Sequence, residues 1–103
     1  MEFEELPAFT RELLKLLSDE EYAELQFVLA ARPGMGPVIP QSGGLRKLRW
    51  AAKGHGKRGG VRVIYYWWIS EHLISLLAIY PKNRKDDLTA KELKLLRQVI
   101  ESE

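Results

Sequence analysis

The sequence predicts one α+β domain, a small antiparallel sheet packed against N-terminal helices and followed by a C-terminal helix. Three observations predict it. Apolar residues recur at three- and four-residue spacing through the first third of the chain, alternating and β-branched runs replace them from about residue 45, and serine or threonine capping boxes precede two helical stretches. The length of 103 residues suits a single domain spanning 1–103.

The first helix is read from Leu6, Phe9, Leu13, Leu14 and Leu17, with Pro7 in its first turn, where a missing N–H costs nothing. Ser18-Asp19-Glu20-Glu21 is a capping box, so a second helix starts at Ser18 and carries Tyr22, Leu25, Val28 and Leu29 along one stripe. Arg32-Pro33-Gly34-Met35-Gly36-Pro37 ends it, and residues 33–44 form an irregular connection. Leu45–Ala52 alternates as a strand, with Leu45, Lys47, Arg49 and Ala51 on one side. Val61–Ile69 and Leu73–Tyr80 are dense in β-branched and aromatic residues, and the polar Ser70-Glu71-His72 between them reads as a tight hairpin turn. Both runs are apolar on both faces, which implies burial on both. Thr89-Ala90-Lys91-Glu92 is the second capping box and opens a helix with Leu93, Leu96 and Ile100 on one face. A short strand is allowed at Met1–Glu4.

The absence of cysteine excludes a disulfide framework and thiolate chemistry. No apolar run reaches a membrane-spanning length and the first five residues are acidic, unlike a secretory leader, so a cytoplasmic protein without membrane contact is expected. The net charge of +2 is unevenly spread. Residues 1–31 hold eight acids and two bases, residues 32–85 eleven bases and one acid (Glu71), and residues 86–103 five acids and three bases. A basic middle segment between acidic ends attracts phosphates or an acidic partner.

Gly54, Gly56 and Gly59 match a dinucleotide-binding spacing, but a strand follows where the mechanism needs a helix N-terminus, so a nucleotide fold is rejected. The loop instead offers Lys53, Lys57 and Arg58 to a phosphate chain. Arg62 is a cation inside an apolar strand, a costly position unless it is paired or opens onto a cleft. Tyr65, Tyr66, Trp67 and Trp68 allow base stacking at one or two positions and packing at the rest. His55 and His72 read as loop residues, and Asp86-Asp87 as the end of a loop rather than a metal pair. No cofactor or metal site is expected.

Three blocks carry a family resemblance. They are Gly43-Gly44-Leu45-Arg46-Lys47-Leu48-Arg49, then Gly54 and Gly56-Lys57-Arg58-Gly59-Gly60 with Arg62-Val63-Ile64-Tyr65-Tyr66, and Ile79-Tyr80 with Lys82-Asn83, Lys85 and Asp87-Leu88-Thr89. Together they resemble the HigB-type branch of the RelE/ParE toxin superfamily, over roughly Ser18 to the C-terminus. The resemblance implies a type II toxin: a ribosome-dependent endoribonuclease that cuts A-site mRNA without a metal ion, by attack of a 2′-hydroxyl. It also implies neutralisation by a cognate antitoxin, of helix-turn-helix DNA-binding type. Carried over by position, Arg62, Lys47 and Lys82 are the catalytic candidates. Arg49, Lys53, Lys57, Arg58, Arg84 and Lys85 are the RNA-binding ones. Where some relatives carry a further tyrosine this chain has Asp87-Leu88, which leaves the general base unassigned, with Tyr80 or His55 as weak substitutes. Arginine suits the charge that grows on a phosphorane, and Lys47 or Lys82, crowded by cations, is expected to exchange a proton. Two alternatives stay open: the gyrase-inhibiting branch of the superfamily, and a non-enzymatic module that only docks nucleic acid or an acidic protein.

Overall fold

The computed structural model describes residues 1–51, 60–85 and 87–103. The elements run β1 (Glu2–Glu5), α1 (Pro7–Leu16), α2 (Asp19–Ala31), β2 (Arg46–Trp50), β3 (Val61–Trp68), β4 (Leu73–Pro81) and α3 (Ala90–Glu101). Local signals placed the helices well. Both capping boxes form: Ser18 Oγ accepts from the Glu21 N–H while the Glu21 carboxylate accepts from the Ser18 N–H, and Thr89 and Glu92 repeat the exchange. Each exchange satisfies two N–H groups that a helix start would otherwise leave open.

The four strands form one sheet in the order β1-β4-β3-β2. The β3–β4 hairpin is antiparallel, and its turn places His72 in the left-handed region at a φ of 52°. β2 is antiparallel to β3, but β1 runs parallel to β4, so the sheet is mixed rather than purely antiparallel. The N-terminal strand fills the outer edge of β4, a pairing between segments about 70 residues apart in sequence. A polar chain then ties three strands together: Trp68 Nε1 donates to Ser75 Oγ, which donates to the Glu4 carboxylate, both at 2.9 Å.

The sheet is covered on both faces, as the apolar strands required. On one face α1 and α2 bury Phe9, Leu13, Leu17, Leu25 and Leu29 against Leu48, Val61, Val63, Tyr65 and Ile74. On the other, α3 sets Ile100, with Leu93 and Leu96, against Leu45, Ile64, Leu77 and Tyr80. A register shift between Ile64 and Tyr65 leaves Leu77 as an extra residue of β4. The four consecutive aromatics of β3 divide between the two layers. Tyr65 and Trp67 pack toward α1 and α2, while Tyr66 and Trp68 meet edge-on at 4.7 Å on the α3 side. All four take part in packing, as expected of most of them, and Tyr66, Trp67 and Trp68 stay partly exposed. No helix among the described residues is long and apolar enough to cross a membrane.

The first layer includes a small polar cluster. The Glu5 carboxylate accepts from Tyr22 Oη at 2.6 Å and from Thr10 Oγ1 at 2.5 Å, fastening β1 to both helices. Burial, then the bond to Glu5, pushes the Tyr22 hydroxyl well above the ordinary tyrosine value, so the folded protein holds that proton more tightly than the unfolded chain does. Its contribution to stability is complete below the unfolded tyrosine's pKa of about 10 and is lost as pH rises beyond it. Denaturant melts at successive alkaline pH values are expected to show falling stability, and Tyr22→Phe is expected to flatten that fall. An unchanged slope in the variant would contradict the assignment.

Candidate nucleic-acid interface

Alternation along β2 turns Lys47 and Arg49 to one face of the sheet, and pairing decides what stands beside them. Arg49 lies directly opposite Arg62 on β3, and Arg62 directly opposite Tyr80 on β4. A row Arg49–Arg62–Tyr80 thus crosses three strands, with Lys47 in the adjoining row opposite Ile64. Like charges directly opposite each other destabilise a sheet pair. Two arginines at one such site, with a lysine two residues along, gather positive charge on one face of the sheet.

The three cations differ in depth. Arg49 is exposed, Lys47 is partly exposed, and Arg62 is only 3% exposed. The Arg62 guanidinium donates to the Val61 carbonyl at 3.3 Å. Sequence reasoning offered an Arg62 that is paired or one that opens onto a cleft; the side chain is buried, beside Arg49 in the sheet. Lys47 Nζ forms an ion pair with the exposed Asp87 carboxylate, which answers for Asp87 as more than the end of a loop.

The segment after β4 supplies further cations. Lys82 is exposed and its N–H donates to the Gly60 carbonyl at 3.0 Å, which brings it to the same end of β3 as Arg62. Arg84 is exposed, with Glu12 at 4.0 Å. Lys85 turns away toward α3: its ammonium sits 2.6 Å from the Glu92 carboxylate and 5.2 Å from the Tyr80 ring centroid. The bond from Lys85, followed by that from the Thr89 N–H, holds the Glu92 carboxyl below its usual value. Lys85 therefore fastens the start of α3 while staying partly exposed. Tyr80 is buried beneath it at 5% exposure, poorly placed to take a proton from a ligand. His72 stands at the opposite end of β3 from Arg62, in the hairpin turn. Lys53, Lys57, Arg58 and His55 lie outside the described residues, as does Asp86.

Sequence reasoning missed how the segment before β2 is built. Tyr65, fully buried, donates its hydroxyl to the Pro33 carbonyl at 2.8 Å and accepts from the Gly36 N–H at 2.9 Å. Arg46 donates to the carbonyls of Gly34 and Gly36 at 3.1 and 2.8 Å. Gly36 allows the close approach, since a Cβ there would lie 2.9 Å from the Tyr65 ring and 3.0 Å from the Lys47 carbonyl. Its signal in the sequence was only a glycine between Met35 and Pro37. Tyr65→Phe keeps the packing and removes the hydroxyl, leaving a buried N–H and a carbonyl unpaired. A loss of about 1–3 kcal/mol in denaturant melts is expected; a neutral substitution would show that the strap carries no stability.

The family model described as the RelE toxin of the RelE/RelB toxin–antitoxin system matches residues 10–102. Among solved structures, this fold is similar to that of an arginine double mutant of the Escherichia coli toxin RelE in the free state. The TM-score is 0.60 at 11% identity, over 94% of this chain and 93% of that one. At that identity the second comparison speaks for the fold alone.

Proposed function

The chain belongs to the family of RelE toxins of toxin–antitoxin systems, and from that premise we propose that it arrests translation as a ribosome-dependent mRNA endonuclease of the HigB-type branch. The observation that carries this reading is the cross-strand pair Arg49–Arg62 with Lys47 on the same face. Internal cleavage of RNA needs no group that the chain must carry covalently. The 2′-oxygen bonds to the adjacent phosphorus as the bond to the 5′-oxygen breaks, one proton leaves the 2′-hydroxyl and another reaches the departing oxygen. What a protein must supply is positive charge where the phosphorane oxygens gain charge, and fixed geometry. In this reading Lys47 and Arg49 meet the phosphate, and Arg62 adds a permanent charge from a poorly solvated position behind them. Lys82 closes the same end of the sheet and Arg84 extends the phosphate-binding surface. The ribosome holds the mRNA in line, so naked mRNA is cut slowly at most.

The same family membership implies an antitoxin partner, and the helix-turn-helix class fits the HigB-type reading. Primer extension on mRNA from a cell-free translation extract tests the proposal. Cuts at fixed positions within codons are expected when the protein is added. Arrest without cuts, or DNA damage with translation intact, would overturn the nuclease.

A further inference from the structure

The strapped segment before β2 has a consequence for what lies beside Lys47 and Arg49. Hydrogen bonds along residues 33–39 hold the segment in place, among them the two of Tyr65, the two of Arg46, Lys47 N–H to the Pro37 carbonyl at 3.1 Å, and Ile39 N–H to the Leu45 carbonyl at 2.8 Å. Shielding the outer edge of β2 accounts for the backbone bonds. It does not account for the side chains. Met35 is 37% exposed and Pro37 is exposed, and both are held against the cationic strand. With Lys47, Leu48 and Arg49 they line a cleft of about 390 Å³, a volume in the range of small-ligand sites. One wall is apolar, and the other carries Arg49 and Lys47, whose ammonium is paired with the exposed Asp87 carboxylate.

We propose that this cleft is a nucleotide subsite, in which Met35 and Pro37 form a shelf for one base of single-stranded RNA whose phosphate is held by Lys47 and Arg49. The inference rests on the nuclease reading for its choice of RNA as ligand. Charge complementarity selects the occupant: an apolar shelf alone would suit many partners, but a flat apolar face within reach of two cations suits a base joined to a phosphate. Thioether and proline-ring surfaces have no hydrogen-bonding code, so the shelf accepts any base by contact area. Pre-organisation is the second argument. A segment already immobilised loses little freedom when a ligand settles on it, which is what the bonds from Tyr65 and Arg46 achieve.

The test compares two probes of equal charge by fluorescence anisotropy, a labelled adenosine trinucleotide and a base-free ribose-phosphate trimer. The unmodified protein is expected to bind the base-bearing trimer about fivefold more tightly, the low end of base stacking on a protein surface. Met35→Ser and Pro37→Ala, both with unchanged melting, are expected to bring that ratio toward one and leave the base-free trimer's affinity as it was. Arg49→Ala is expected to weaken both probes alike and keep the ratio. A ratio of one in the unmodified protein would overturn the proposal. So would a ratio that survives both shelf substitutions, including the case in which they weaken only binding of a protein antitoxin. Failure of the nuclease reading is seen separately: uncut mRNA in the translation extract, with the ratio intact, overturns the nuclease and supports the shelf.

Discussion

Arg62→Met is expected to fold and to lose codon-positioned cleavage by about a hundredfold or more, the usual cost of removing a preorganised charge from a reacting oxyanion. Methionine is unbranched and apolar, so it fills much of the arginine's volume beside Tyr80, its cross-strand neighbour on β4. It leaves a smaller void than alanine would, which makes the variant a cleaner probe, and melting on the same samples reads the cost of any group left without its partner. Arg62→Lys is expected to restore little. A lysine this deeply placed gives up its proton readily, whereas a guanidinium stays charged. Primer extension and thermal melting on the same samples check both statements. A cooperatively folded Arg62→Met protein that cuts normally would remove Arg62 from the mechanism and leave the work to Lys47 and Arg49.

The second large effect is on stability. Phe9→Ala is expected to cost about 3–5 kcal/mol, a large share of the roughly 5–15 kcal/mol that a domain has in total. Phe9 is fully buried on α1, packs with Leu13, Leu25 and Leu29 over the sheet, and approaches the Tyr22 ring at 6.2 Å. It therefore joins both helices to one sheet face, and alanine would leave a cavity that two helices anchored elsewhere cannot collapse to fill. For a chain of this size the melting temperature is expected to fall by about 12 °C or more. A fall of only a few degrees would mean that α1 repacks freely. Growth arrest by this variant is expected to weaken with the folded fraction, although Phe9 lies on the face of the sheet away from the cations.

Features that depend on a few neighbouring residues were legible in the sequence alone. Ser18 with Glu21 and Thr89 with Glu92 mark helix starts because a capping box joins residues three apart, closed within one turn. The β3–β4 hairpin was legible for the same reason, and so was the common face of Lys47 and Arg49, since two residues two apart on a strand share a side wherever the strand lies. Tertiary structure decided everything that hinges on which distant segment arrives alongside. β1 pairs parallel to β4, Glu2 opposite Leu73, across most of the chain's length. Antiparallel register set Arg49 against Arg62, and neither residue carries that register in its own neighbourhood. Depth was likewise a collective property: Arg62 and Lys47 are both cations in strands, yet one is buried and the other reaches the surface. Lys85 read as one more cation for RNA, and only the fold brought Glu92 and the Tyr80 ring to it. Sequence determines side and sequence spacing, because these follow from bond geometry. Neighbours and burial follow from the packing of the whole chain, where Tyr65 could become the anchor of a segment 29 residues away in sequence.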